Sequence, residues 1–326
     1  MEYSAISNMK VTRVALGTWS IGGGLWGGSD ENESIKTIET AFTDGINFFD
    51  TAPAYGDGKS EELLGKALKG KRDKAIIATK CGLNQETPNK TFRDSRRDFL
   101  FREIERSLKR LQTDYIDIYL IHWPDPKTPI AEVAETLKMI KDQGKIKAFG
   151  VCNYNLTQLK EFEKTASLDV VQLPFNLFER EQEENEFKYA LEKKIPLMGY
   201  GPLCRGLLSG KMSKDRKFNK GDLREGMDPK FQEPRFSQYL ECADKLEKWV
   251  LVKYQKTLFS LAVRWVLDKG INSALLGARK PEQLVEIQSL WDWHLTQDDF
   301  KEIDKIIKDT IKDPIGPQFM SPPERD

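Results

Sequence analysis

The chain has 326 residues, of which 39% are hydrophobic and 10% aromatic, and these fractions predict a folded globular protein rather than a disordered one. Its 51 Lys and Arg residues balance its 51 Asp and Glu residues, so no net charge draws it to nucleic acid or to an anionic membrane. The N-terminal residues lack the charged and apolar regions of a signal peptide, and no stretch is apolar for the ~18 residues of a membrane span, which predicts a cytoplasmic protein.

Eight short β-rich runs alternate with helical patterns along the chain. They are, in order, TRVALG, INFFD, AIIATK, YIDIYLIH, KIKAFGV, LDVVQL, IPLMGY and INSALLG, which end near positions 17, 50, 80, 122, 151, 173, 200 and 277. The runs are apolar almost throughout, as in parallel strands that are buried on both faces. Between them, apolar residues recur with a helical period, for example Ile104, Leu108 and Leu111. The alternation predicts one α/β domain over residues 1–326, a closed (β/α)8 TIM barrel.

Two segments interrupt this regular alternation. A polar, Gly-containing stretch from about Gly206 to Pro234 follows the seventh strand and is too long for an ordinary connection, so we expect it to cover a ligand. A segment from the N-cap Thr296 to Ile311 predicts an extra C-terminal helix before a Pro-rich tail. Glycines that can form left-handed helix C-caps precede several strands, namely Gly45, Gly144 and Gly270.

Polar side chains end three successive barrel strands. Asp50 ends the second run, Lys80 the third and His122 the fourth, while Tyr55 follows Asp50 on a loop that contains Pro and Gly. Because active sites of such barrels lie at the C-terminal ends of the strands, we expect these four side chains to meet there. Each residue alone is more often a helix cap, a solvated charge or a core residue. On successive strand ends they predict a catalytic group.

These four residue types suit the protonation of a carbonyl oxygen. A phenol has an ordinary pKa of about 10 and is a weak acid near neutral pH. We expect the ammonium of Lys80, held by Asp50, to lower the pKa of Tyr55. His122 can donate a hydrogen bond to the same oxygen as negative charge develops on it. The group therefore predicts carbonyl reduction, with hydride arriving from the opposite side.

Longer segments around these residues resemble the aldo-keto reductase superfamily. The resemblance runs in the expected order through GINFFDTAPAYGDGKSEELLGKAL, ATKCG, DYIDIYLIHWPD, GVCNYNLTQL, VVQLPFNLFERE, GYGPLCRGLLSGK and LLGARKPEQLVE. The run GTWSIGGGLWGGSDE is similar to the bacterial aldo/keto reductase branch. The resemblance implies an NADPH-dependent oxidoreductase that reduces aldehydes or ketones to alcohols, with Tyr55 as the proton donor.

The resemblance also implies a set of cofactor-binding residues. Asn153 and Gln172 are expected to bind the nicotinamide carboxamide, and Tyr200 to stack on the nicotinamide ring. The full implied set is Thr18, Trp19, Asp50, Cys152, Asn153, Gln172, Tyr200, Gly201, Pro202, Leu203, Arg205, Lys211, Gly277, Arg279, Gln283 and Glu286. Cys152 and Ile287 stand where Ser and Asn are usual in the family, which predicts weaker cofactor binding.

The residues themselves give an independent indication of where a phosphate would bind. No GxGxxG follows the first strand, so a Rossmann-type site is not predicted. Arg279 lies just past the eighth strand and before Pro281, where a guanidinium and a helix N-terminus can hold a phosphate together. A solvated surface arginine is the alternative.

Aromatic residues near the same end of the barrel predict a substrate pocket. Trp19 and Trp123 follow the first and fourth strands and are expected to form its walls, whereas Trp26 is equally consistent with a loop anchor. The four cysteines are far apart, and His122 and His294 are the only histidines, so neither a disulfide framework nor a metal site is predicted. No heptad repeat indicates an oligomeric state.

Two other functions remain open from the sequence. Lys80 at a strand end also suits a class I aldolase, in which an uncharged lysine forms a Schiff base with a carbonyl substrate. A non-catalytic sensor that binds NADPH is the second alternative, because a fold does not by itself imply turnover.

Overall fold

A computed structural model describes residues 1–87 and 90–325. The strands are β1 (Tyr3–Ile6), β2 (Met9–Thr12), β3 (Val14–Gly17), β4 (Phe48–Asp50), β5 (Ile76–Cys81), β6 (Leu83–Asn84), β7 (Phe92–Arg93), β8 (Ile116–Ile121), β9 (Ile146–Cys152), β10 (Val170–Pro174), β11 (Leu197–Tyr200) and β12 (Ser273–Gly277). Eight of them, β3, β4, β5, β8, β9, β10, β11 and β12, pair in parallel in that order, and β12 pairs with β3 to close a barrel. The predicted (β/α)8 barrel is confirmed, and every predicted strand end lies within one residue of the observed end.

Helices surround the barrel and connect its strands. They are α1 (Glu31–Thr43), α2 (Lys59–Ala67), α3 (Arg97–Leu111), α4 (Ile130–Asp142), α5 (Leu156–Glu163), α6 (Lys188–Glu192), α7 (Leu223–Gly226), α8 (Arg235–Tyr254), α9 (Leu258–Asp268) and α10 (Gln297–Thr310). The extra C-terminal helix is confirmed as α10, whose N-cap Thr296 accepts a hydrogen bond from the Asp299 N–H at 3.3 Å. Within the described ranges, no helix is both long and apolar enough to cross a membrane.

The barrel strands are apolar on both faces because both faces are buried. Phe48, Ile118 and Met198 belong to the cluster that fills the barrel interior, while the opposite faces of the strands pack against the helices. A hairpin of β1 and β2 closes the N-terminal end of the barrel, with Ile6 and Val11 in the interior cluster. The sequence interpretation did not include this hairpin.

The long segment after β11 is folded over the open end of the barrel. It contains α7 and a short 3-10 helix, Pro229–Phe231, and it packs against the loop that follows β3. The Leu223 N–H donates to the Leu25 carbonyl at 2.9 Å, and Trp26 forms a backbone bridge with Asp222. The segment and the β3 loop therefore meet above the site described below.

Candidate active site

The structure brings Asp50, Tyr55, Lys80 and His122 together at the C-terminal end of the barrel. The Lys80 Nζ donates to Asp50 Oδ1 at 2.7 Å, to the Thr51 carbonyl at 2.9 Å and to the Tyr55 hydroxyl at 3.1 Å. The rings of Tyr55 and His122 meet edge to face, with 5.8 Å between their centroids. The phenol hydroxyl and the imidazole thus approach the same volume.

Two glycines fix the loop that carries Tyr55. A Cβ at Gly56, which has a φ of 66°, would lie 2.0 Å from the Gly22 carbonyl oxygen. A Cβ at Gly22 would in turn lie 2.6 Å from the Tyr55 backbone. The β3 loop and the Tyr55 loop can approach this closely only because neither residue has a side chain. This contact sets the position of the phenol.

Burial reverses the pKa shift that the sequence predicts for Tyr55. Loss of solvent around the phenolate raises the pKa of Tyr55 to about 12, and the opposing effect of Lys80 is smaller. Lys80 lowers this pKa as expected, but burial outweighs it, and the sequence does not reveal that the hydroxyl is fully buried. Tyr55 is a neutral phenol near neutral pH and retains a proton to donate.

The charges around Tyr55 favour a protonated Lys80 and a neutral His122. Burial alone would lower the pKa of Lys80, but the neighbouring Asp50 and Tyr55 raise it above its ordinary value. Burial, followed by the charge of Lys80, lowers the pKa of His122 well below its ordinary value. The site thus holds the Lys80–Asp50 ion pair and two neutral groups, the Tyr55 phenol and the His122 imidazole. Each of these two neutral groups can donate a hydrogen bond.

A cleft of about 330 Å³ runs from this group toward the ends of β11 and β12. Twelve of the sequence-predicted cofactor residues line it, namely Trp19, Asp50, Tyr200, Gly201, Pro202, Leu203, Arg205, Lys211, Gly277, Arg279, Gln283 and Glu286. Thr18 lies outside the cleft: its fully buried hydroxyl donates to the Asp50 carbonyl at 2.9 Å and accepts from Ser60 at 2.6 Å. These hydrogen bonds connect the end of β3 to the end of β4. They use the Thr18 hydroxyl within the protein and give no support to a contact with the cofactor.

The floor of this cleft suits a phosphate-containing ligand. Gly17 and Gly277 are paired in register and leave the floor free of side chains. Ser20 lines the cleft and is only 6% exposed, and its hydroxyl has no hydrogen-bond partner among the described residues. The buried Trp26 Nε1 also lacks a partner within the described part of the chain. Two unpaired donors beside a bare backbone fit acceptor oxygens of a dinucleotide.

Sequence reasoning missed Ser20 and left the role of Trp26 open. The available signal for Ser20 was its position just past the end of the first strand, next to Trp19. No residue pattern distinguishes it from an ordinary loop serine, because only the folded chain shows that its hydroxyl is both buried and unpaired.

Three of the basic residues predicted around the cleft are already paired. Arg279 donates to the Trp26 carbonyl at 3.1 Å and also to the Gly28 carbonyl, so it holds the β3 loop. Lys211 and Glu286 form a 2.9 Å ion pair across the cleft. Arg205 lines the cleft as expected, but its guanidinium is buried between two carboxylates that balance its charge.

The amides expected to bind the nicotinamide carboxamide lie beside Asp50 and His122. Gln172 donates to Asp50 Oδ2 at 2.9 Å, and Cys152 donates through its thiol to the Gln172 side-chain oxygen at 3.4 Å. Asn153 donates to the His122 carbonyl at 2.9 Å and accepts from the Tyr200 hydroxyl at 2.9 Å. These bonds orient both amides in the wall of a second cavity, and Tyr200 lines both this cavity and the cleft.

The second cavity opens on the other side of Tyr55 and has a volume of about 600 Å³. Tyr55 and His122 line it, and so do the predicted wall residues Trp19 and Trp123. Apolar residues from distant segments complete the wall, including Leu25, Leu83, Met227, Phe319, Met320 and Pro322. Among its described lining residues only Asp57 bears a formal charge. The cavity suits an uncharged, largely apolar ligand.

Comparisons with known proteins identify relatives over the whole chain. The sequence model of the Aldo/keto reductase family matches residues 13–308. The aldo-keto reductase YhdN of Bacillus subtilis is 50% identical over 331 residues, which cover 100% of this chain and 99% of that protein. The NADH-specific methylglyoxal reductase of Escherichia coli is 35% identical over 298 residues, which cover 86% of this chain and 90% of the relative.

A solved structure shows the same likeness. The glycerol dehydrogenase AKR11B4 from Gluconobacter oxydans superimposes with a TM-score of 0.88 and is 46% identical. The match covers 98% of this chain and 99% of that one. The resemblance to bacterial aldo-keto reductases is confirmed by these matches.

Proposed function

Because the chain belongs to the aldo/keto reductase family, and is therefore an oxidoreductase of carbonyl compounds, we propose that it reduces uncharged aldehydes or ketones with NADPH and that Tyr55 is the proton donor. One observation carries this proposal. The neutral phenol of Tyr55 bonds to the buried Lys80–Asp50 ion pair at the junction of two cavities, one with unpaired polar donors and one with apolar walls.

Four residues of the site have distinct roles in the proposed reduction. Bound NADPH supplies the hydride. Tyr55 donates its proton to the carbonyl oxygen, and the adjacent Lys80 ammonium stabilises the phenolate that remains. The neutral His122 donates a hydrogen bond to the same oxygen and fixes its position. Asp50 holds Lys80 in place and balances its charge.

Several residues are proposed to hold the cofactor. Gln172 and Asn153 would bind the carboxamide, and Tyr200 would stack on the nicotinamide ring. Ser20 and Trp26 offer the unpaired donors, and the cleft-lining set named above surrounds the remainder. The cytoplasmic location expected from the sequence stays a prediction.

The bonding of Lys80 argues against the Schiff-base alternative. Its ammonium has three acceptors within hydrogen-bond distance, and its neighbours raise its pKa. A Schiff-base lysine must lose its proton before it attacks a carbonyl. The geometry therefore supports Lys80 as a partner of Tyr55 rather than as the nucleophile.

Steady-state assays with a panel of carbonyl compounds test the proposed function. We expect NADPH to be consumed with neutral aromatic aldehydes, and kcat/KM to be lower for aldehydes that carry a carboxylate, because the second cavity offers no cation to pair with it among its described lining residues. Consumption of NADPH with none of the panel would overturn the proposal.

Arg279→Ala is expected to weaken NADPH binding by about ten- to hundredfold and NADH binding far less. The reason is that a charge-assisted bond to the 2′-phosphate contributes roughly 1.5–3 kcal/mol, and NADH lacks that phosphate. Dissociation constants for both cofactors, measured by titration calorimetry, give the comparison. Arg279→Gln is the matched variant, because it retains donors for the Trp26 and Gly28 carbonyls but removes the charge. An equal loss for both cofactors, or a wild-type preference for NADH like that of the Escherichia coli relative, contradicts the assignment.

The raised pKa of Tyr55 predicts how the reverse reaction depends on pH. Oxidation of an alcohol requires the phenolate as base, so kcat/KM for oxidation should rise about tenfold per pH unit above neutral pH while Tyr55, with a pKa of about 12, remains mostly protonated. Reduction uses the phenol and should change little over the same range. A pH profile of both directions at saturating cofactor measures this difference. An oxidation rate that levels off near neutral pH would mean that the effect of Lys80 on the pKa of Tyr55 outweighs that of burial, and would contradict this prediction.

A further inference from the structure

The C-terminal tail, residues 311–325, crosses the mouth of the second cavity and is fixed at both ends. At its near end, the Ile315 N–H donates to the Tyr239 hydroxyl at 3.2 Å, and Lys230 donates to the Gly316 carbonyl at 3.3 Å. At its far end, the Arg93 N–H donates to the Pro323 carbonyl at 2.9 Å. The tail thus spans from the long segment after β11, residues 206–234, which we call the cover segment, to the loops beyond β5 and β8.

Arg325 makes the densest set of contacts in this tail. Its Nη1 donates to Asp125 Oδ2 at 2.8 Å and to Asp94 Oδ1 at 3.3 Å, and its Nη2 donates to the Lys127 carbonyl at 2.6 Å. Asp94 and Asp125 are 0% and 4% exposed, while the Arg325 side chain is 16% exposed. A guanidinium that closes over two buried carboxylates is a stronger anchor than an exposed ion pair.

The two carboxylates also shape the loops beneath them. Asp125 accepts from the N–H groups of Ser95 and Lys127, both at 3.0 Å, and Asp94 accepts from Asn84 at 3.1 Å. These bonds place both acids independently of the tail, so the socket for Arg325 is preformed.

Between its two anchors the tail forms part of the cavity wall. Phe319, Met320 and Pro322 line the cavity opposite Trp123. Within the described residues, the N–H groups of Met320 and Ser321 bond only to other tail residues. The Gln318 side-chain amide also donates to Glu181, so the position of this wall depends on packing, on this contact and on the two anchored ends.

We propose that Arg325 is a positioning residue for the carbonyl substrate: by binding Asp94 and Asp125 it holds the Phe319–Pro322 wall over Tyr55 and His122. The inference rests on the proposed function and concerns the side of the site that faces the substrate. Arg325 does not line the cavity, so its effect passes through the tail. Arg325 does not line the cofactor cleft either, although Met320 of the wall lines that cleft as well as the second cavity.

Arg325→Ala tests this role, with Arg235→Ala as the matched control. Arg235 pairs with Asp313 near the other end of the tail in an exposed contact. For Arg325→Ala we expect KM for a bulky aromatic aldehyde to rise about tenfold, with kcat changed by less than about twofold. NADPH affinity should change much less than KM, because of Phe319, Met320 and Pro322 only Met320 also lines the cofactor cleft. The control should match the wild type in all three quantities. Arg325→Lys, which keeps the charge but not the planar fork, should recover part of the loss.

Limited proteolysis gives a readout that does not depend on turnover. Chymotrypsin should cut after Phe319 faster in Arg325→Ala than in the wild type and the control, because the far end of the tail is then held by the weaker Arg93 contacts to Pro323 and Glu324. If both KM and the cleavage rate match the wild type, the proposal is wrong. Faster cleavage with unchanged KM also overturns the proposal, because Arg325 would then anchor the tail without positioning the substrate. Absence of any reduction by the wild type would instead contradict the proposed function, and cleavage would still show whether Arg325 anchors the tail. If Arg325→Ala fails to fold, KM and the cleavage rate are measured on Arg325→Lys instead, and the same outcomes support or overturn the proposal.

Discussion

Tyr55→Phe is expected to lower kcat for carbonyl reduction by about a hundred- to ten-thousandfold while NADPH binds with nearly its wild-type affinity. The substitution removes the one hydroxyl that bonds to Lys80 and faces the second cavity, and it keeps the aromatic ring that packs against His122 and Trp19. A positioned general acid contributes an effect of this size. Rapid-mixing kinetics at saturating NADPH measure the loss directly.

Tyr154→Phe is the matched control for this prediction. Tyr154 is also buried, but its ring packs against Phe162 behind the barrel, and its hydroxyl makes no contact with Lys80. This variant should reduce aldehydes at close to the wild-type rate. If Tyr55→Phe does the same, another group supplies the proton and the assignment of Tyr55 is wrong.

Glu179→Gln is expected to destabilise the protein by about 3–5 kcal/mol. Glu179 is buried, accepts from Arg205 at 2.5 Å and pairs with Lys230 at 2.8 Å, while Arg205 also pairs with Asp228. Without the Glu179 charge, Arg205 would keep Asp228 as its partner, while the buried ammonium of Lys230 would lose its carboxylate partner. The free energy of unfolding in urea gives the measurement.

This loss should also depend on pH. Although burial opposes it, the charges of Arg205 and Lys230 lower the pKa of Glu179 to about 2, below its ordinary value of 4.5. A carboxylate with a lowered folded-state pKa stabilises the protein above its unfolded-state pKa, and that stabilisation is lost as the pH falls through the folded-state value. The difference between wild type and Glu179→Gln should therefore shrink as the pH falls from 4.5 toward 2.

Asp298→Asn is the control for this stability experiment. Asp298 and Lys301 form an ion pair whose side chains are almost fully exposed, so its removal should leave the unfolding curve unchanged. If Glu179→Gln has as little effect as the control, the buried network does not stabilise the fold.

The network gives Arg205 a structural role that the sequence does not indicate. The resemblance implies that Arg205 lies along the pyrophosphate, and Arg205 does line the cleft. Its partners Glu179 and Asp228 lie 26 and 23 positions away, and nothing in the local sequence indicates them. We interpret Arg205 as a residue that fixes the base of the cover segment.

The barrel and the catalytic group were accessible to sequence reasoning because their signals are local. Each strand is a short apolar run, and Asp50, Lys80 and His122 end or directly follow such runs. The wall at Phe319 to Pro322 was not predicted, because a Pro-rich tail has no periodicity. Its anchor, Arg325, meets Asp94 across 231 positions. The direction of the Tyr55 pKa shift was also hidden, since it depends on burial rather than on neighbours in sequence.

The most direct test of the account is to mix the purified chain with NADPH and a neutral aromatic aldehyde and to quantify the cofactor consumed and the alcohol formed. We predict that one alcohol forms for each NADPH oxidised, and that the yield collapses in Tyr55→Phe. NADPH that binds tightly but is never consumed would indicate a sensor. An aldehyde adduct on Lys80 that borohydride traps without NADPH would indicate Schiff-base chemistry, and either result would contradict the proposed reductase.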